Sequence, residues 1–66
     1  MRLKLKIRRL EKRLSQEELA NKVELSSQSI SNYETGKATP TYAAMKRIAE
    51  ILDSSVDELF SEEANL

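Results

Sequence analysis

Neither cysteine nor histidine occurs in this chain, so disulfides are excluded and the usual zinc-ligand sets cannot be assembled. Enzyme chemistry built on those two residues is excluded with them, and there is no glycine-rich phosphate loop. The adjacent pairs Glu17–Glu18 and Glu62–Glu63 offer no substitute, because neighbouring carboxylates on a helix diverge. No enzyme is expected, and no cofactor, metal or small-molecule effector. The chain has one glycine and one proline, too few for the turns of a β-sandwich or barrel. Apolar runs are short. None approaches the length of a bilayer span, and Leu3, Leu5, Ile7 and Leu10 alternate with charges, which leaves no signal-peptide apolar region. No membrane partner is expected, and the expected location is cytoplasmic.

What is present fits one small helical domain over residues 1–66. A chain of 66 residues buries a modest core, worth about 3–5 kcal/mol of net stability without staples. Well-packed helices and self-association are the remaining sources of stability. The formal charge is zero, but it is segregated. Residues 1–13 hold seven Lys and Arg against Glu11 alone, a net of +6, whereas residues 38–66 hold Lys46 and Arg47 against six acids, a net of −4. Such a molecule would turn its basic end toward a polyanion.

Helix boundaries are marked by polar caps. Ser15 with Glu18, and Ser55 with Glu58, have the capping-box spacing, in which hydroxyl and carboxylate each satisfy an orphan backbone N–H. Ser26 and Thr41 are further N-cap candidates. Gly36 suits the left-handed residue that ends a helix, and Pro40 follows where the chain must not continue helically. Ser31 and Glu34 share the box spacing but fall inside a segment that Ser26 has already begun. These signals predict five helices, at about 2–12, 16–23, 27–35, 42–52 and 56–62, with Ser61 to Leu66 frayed. The expected core is Leu5, Leu10, Leu14, Leu19, Ala20, Val23, Leu25, Ile30, Tyr33, Met45, Ile48, Ala49, Leu52, Val56, Leu59 and Phe60.

Between Leu14 and Pro40, two short helices are separated only by Glu24, Leu25 and Ser26. This is a helix-turn-helix layout, in which the first helix braces the second across a groove. Ala20 is small enough for close approach, and Leu25 plugs the gap. At 100° per residue, Ile30, Tyr33 and Glu34 point one way. Gln28, Ser31, Asn32 and Thr35 point the other, with Ser27 beside them. That outer face carries amides and hydroxyls but no charge, which suits the donor and acceptor edges of base pairs. A short solvated polar helix would carry the same residues. Lys37 and Thr39, leaving this helix, are natural phosphate contacts that position without reading sequence, unless they simply face solvent. Ser15 and Gln16, at a helix start with free N–H groups, suit a phosphate as well.

The pattern Ser-Gln-Glu-Glu-Leu-Ala at 15–20, Val23, Leu25-Ser26, Ile30-Ser31, Tyr33-Glu34 and Gly36-Lys37 resembles the phage repressor and Cro helix-turn-helix proteins, also called the XRE family. The likeness runs on through Pro40 and Ile48-Ala49-Glu50 to Ser55-Val56-Asp57-Glu58-Leu59-Phe60. One departure is Glu24, where the family usually has glycine; a left-handed Glu there would cost ~1 kcal/mol. The resemblance implies an all-α, lambda-repressor-like fold and a sequence-specific transcriptional regulator, a repressor by expectation, that binds double-stranded DNA. It also implies that Gln16 meets a phosphate, or a base pair through a partner side chain, and that Arg9 pairs with Glu34. Arg9 is counted among the positioning residues too. A palindromic operator read by a homodimer, with half-sites about 34 Å apart, is expected. The interface would lie around the fourth and fifth helices, at Leu52, Val56, Phe60 and Leu66. The competing reading is a protein-interaction module, such as an antitoxin-like partner that keeps this fold.

Overall fold

The computed structural model describes residues 1–64. Five helices follow in order: α1 Leu3–Glu11, α2 Gln16–Lys22, α3 Ser27–Thr35, α4 Tyr42–Ile51 and α5 Val56–Ala64. No strand occurs among the described residues. The boundaries fall within about two residues of those expected, because the caps act as their chemistry requires. Ser15 forms the full box, its hydroxyl accepting from the Glu18 N–H while its own N–H donates to the Glu18 carboxylate. Ser26 accepts from the Ser29 N–H, and Thr41 from the Ala44 N–H. Ser55 accepts from the Glu58 N–H, but the Glu58 carboxylate accepts from the Ser54 hydroxyl. Ser31 lies inside α3 and caps nothing.

Helix ends follow one backbone rule with three different residues. Arg13, Glu24 and Asp53 have φ of 58°, 60° and 56°, each one residue past a helix cap. At each end two hydrogen bonds close the Schellman pattern. After α2, for example, Leu25 N–H reaches Ala20 O and Glu24 N–H reaches Asn21 O. Only α3 ends in glycine, with Gly36 at φ 87°.

The core is Leu5, Leu19, Ala20, Val23, Ile30, Ile48, Ala49, Leu52, Leu59 and Phe60, with Leu14, Leu25, Tyr33, Met45 and Val56 packed against it. Ala20 is buried at the α2–α3 contact, and Leu25 fills the turn beside it. Leu10 departs from expectation: it is 54% exposed. It belongs to the helical face opposite Leu5, so both cannot point inward. Leu52 and Phe60, which suited the core and a dimer interface alike, are sealed in the core, and Val56 is half buried against it. The fifth helix continues past Ser61. It kinks at Phe60, where φ is −125° and ψ 24°, and runs on to Ala64. The fourth interface candidate, Leu66, and the side chains of Glu62 and Glu63 lie outside the described residues. Among the described residues, no helix is long and apolar enough to cross a membrane.

Candidate nucleic-acid interface

Four of the seven cations in the basic first segment, Arg2, Arg8, Arg9 and Lys12, are turned onto the protein itself. Arg2 is buried; its guanidinium donates to Tyr33 O, to Ala38 O at 2.8 Å and to Thr39 Oγ1 at 3.1 Å. Its backbone N–H meets Glu34 O at 2.8 Å. Arg2 therefore fastens the end of α3 and the loop that follows. Arg8 donates to Leu52 O and Asp53 O, satisfying carbonyls at the end of α4, and Lys12 lies 3.5 Å from the Asp53 carboxylate. Lys4, Lys6 and Arg13 stay exposed, so the basic end keeps part of its charge at the surface. Backbone carbonyls at helix ends are strong acceptors, and the arginines nearest in space satisfy them.

Arg9 and Glu34 are 6% and 3% exposed, and the guanidinium grips the carboxylate through Nε at 2.6 Å and Nη2 at 3.1 Å. The third guanidinium nitrogen donates to Leu14 O at 2.8 Å. All three guanidinium nitrogens of Arg9 thus bond within the protein, which favours the structural over the phosphate-positioning part of its expected role. Gln16 joins the pair, its amide donating to Glu34 Oε1 at 3.1 Å. Burying this pair costs desolvation, which two parallel hydrogen bonds and a third donor offset. One carboxylate thus ties together α1, the start of α2 and α3.

The outer side of α3 is open. Ser27 and Gln28 are exposed, and Ser31 and Asn32 are half buried at the helix surface. Gln28 Nε2 donates to Asn32 Oδ1 at 3.0 Å, four residues along the same face. Thr35 turns its hydroxyl back onto Ser31 O at 3.0 Å. Tyr33 is half buried and packs against the core. Lys37 and Thr39 are exposed on the loop after Gly36. Ser15 is exposed and Gln16 partly so. Gln28, Asn32, Ser27 and Ser31 therefore form one uncharged patch. Lys37 and Thr39 stand at its C-terminal end, and Ser15 and Gln16 lie on the bracing helix.

Arg2 and the Gln16–Glu34 bond were not foreseen. An arginine ahead of a first helix carries no local sign of burial. Gln16 and Glu34 are eighteen residues apart, and only the turn between α2 and α3 brings them together.

Short bracing helix, tight turn and outward-facing second helix are the parts of a helix-turn-helix. A helix-turn-helix family model matches residues 5–59. This chain belongs to that family. The match agrees with the phage repressor and Cro (XRE) likeness of residues 15–37. An uncharacterized HTH-type transcriptional regulator of Bacillus subtilis (strain 168), YqaE, is 36% identical over 57 residues, which is 86% of this chain and 49% of that protein. The helix-turn-helix chain thus spans about half the length of this relative. No solved structure matches it. Among the described residues, no cluster of three acidic side chains could hold a metal ion.

Proposed function

We propose that this helix-turn-helix chain is a sequence-specific regulator of transcription, a repressor, that binds double-stranded DNA with α3 in the major groove. The carrying observation is the uncharged outer face of α3, with Ser27 and Gln28 exposed and Ser31 and Asn32 half buried beside them, on a helix whose opposite side is locked by the Arg9–Glu34 pair. Base edges are read by hydrogen bonds from side chains of this kind, and the held helix spares them the entropy of being positioned at binding. Gln28 makes paired hydrogen bonds to adenine once its bond to Asn32 opens; Asn32 does likewise or holds a phosphate. Ser15, Gln16, Lys37 and Thr39 contact phosphates and set the register. The Gln16 amide keeps its carbonyl oxygen and one N–H for that purpose. One such helix reads only a few base pairs, so two copies bind a palindromic site. The name of the Bacillus relative supports the regulatory reading.

Selection of duplexes from a random library at about physiological salt tests the proposal. A palindromic consensus is the expected outcome. Recovery of no preferred duplex, with no salt-dependent binding to random DNA, would instead favour the protein-interaction module.

A further inference from the structure

Every apolar side chain of α1 except Leu5 faces away from the core. Leu3, Ile7 and Leu10 are 52%, 52% and 54% exposed. At about 100° per residue they occupy an arc of about 60°, and their spacing of four then three residues is that of a coiled-coil seam. The charges beside this stripe are unevenly placed. Lys4 and Glu11 flank it on one side, about two turns apart, and Lys6 flanks it on the other. Lys4 and Glu11 line an open groove of about 190 Å³ between α1 and the start of α5, and Lys4 Nζ donates to Ser61 Oγ at 3.3 Å.

We propose that this face binds a second copy of the same chain, α1 against α1, antiparallel about a two-fold axis at Ile7. When two helices pack antiparallel, like flanks meet. Lys4 of each copy then stands opposite Glu11 of the other, and Leu3 of each lies beside Leu10 of the other. The stripe is thereby self-complementary in shape and charge, as an isologous interface requires. A parallel arrangement would set Lys4 against Lys6 of the second copy. Glu11 is available, since its side chain is 58% exposed even while it pairs with Arg8 at 3.3 Å. Three half-exposed side chains fall short of the ~800 Å² per partner of a standing complex. The association is therefore weak and concentration-dependent, and it does not rest on the DNA-binding reading.

The absence of cysteine makes disulfide trapping a clean test. Ile7→Cys places one thiol on the axis of each pair, at an exposed site that leaves the core untouched. Under mild oxidation its dimer should form about tenfold faster than that of Lys22→Cys, an exposed control on α2. A mixture of Leu3→Cys and Leu10→Cys chains should cross-link to each other faster than either does to itself. In the Ile7→Cys background, Lys4→Glu should slow trapping about threefold, and adding Glu11→Lys should restore it. Equal rates for Ile7→Cys and Lys22→Cys would overturn the proposal. So would absence of the Leu3–Leu10 cross-link, or failure of the double charge exchange to restore the rate, the result expected if the stripe fits a different protein.

Discussion

Arg9 and Glu34, twenty-five residues apart in sequence, meet through two hydrogen bonds of 2.6 and 3.1 Å inside the protein. Removing either partner strands the other. Arg9→Ala should cost about 3–5 kcal/mol, as much as the whole stability of a domain this size, about 3–5 kcal/mol. The variant should be largely unfolded at 25 °C by circular dichroism. Arg9→Met combined with Glu34→Leu should recover most of the loss in urea titrations, because no buried charge is left unpaired. A loss below about 1 kcal/mol in Arg9→Ala would place the pair among ordinary surface bridges.

Arg2 holds the exit of α3 by hydrogen bonds to Tyr33 O, Ala38 O and Thr39 Oγ1. Arg2→Met keeps the stem but frees these acceptors, at a cost of roughly 2–3 kcal/mol. Tryptic cleavage after Lys37 should accelerate severalfold relative to cleavage after Lys22. Equal acceleration at both sites would indicate general loosening instead of a local tie.

Glu24 sits at φ 60° in the turn between α2 and α3. A side chain there costs ~1 kcal/mol, which Glu24→Gly removes, less some unfolded-state entropy. The expected gain is up to about 1 kcal/mol, or a melting temperature about 4–8 °C higher at most. A lower melting temperature would show that the Glu24 side chain contributes more than its backbone costs.

The Glu18 carboxyl is held below its ordinary value of 4.5, first by the Ser15 backbone N–H and then by the Ser15 hydroxyl. A lowered pKa in the folded state means stability that is complete above the ordinary value and lost as pH falls through the lowered one. The gap in melting temperature between the native chain and Glu18→Ala should therefore be widest near neutrality and close in acid. A gap independent of pH would contradict this origin.

On DNA, Gln28→Ala should relax preference at one base position and cost about 1–3 kcal/mol on the selected site. Lys37→Ala should weaken all duplexes about equally and lower the salt slope by about one. Unchanged selectivity in Gln28→Ala would exclude that side chain from the reading face.

Much of this fold was legible because polar caps are local signals. Ser15, Ser26 and Thr41 name helix starts whatever the tertiary structure, and Gly36 names an end. The ends at Arg13 and Asp53 gave no such sign, since neither residue type demands a left-handed backbone. Leu10 misled because α1 carries apolar residues on two faces, and periodicity does not say which face the other helices cover. Leu52 and Phe60 suited core and interface alike for the same reason. Within the candidate site, the exposure of Gln28 followed from periodicity alone. The inward turn of Gln16 toward Glu34, and of Arg2 toward Tyr33 and Ala38, depended on contacts between distant segments.

Because Glu34 is shared by α1, α2 and α3, none of those helices can detach without leaving a charged or amide group stranded in the interior. Melting should accordingly be all-or-none across the three, with their slowest amide protons exchanging at a common rate. A protein so built has no half-folded form in which the outward face of α3 survives, so its binding activity and its folding should vanish together.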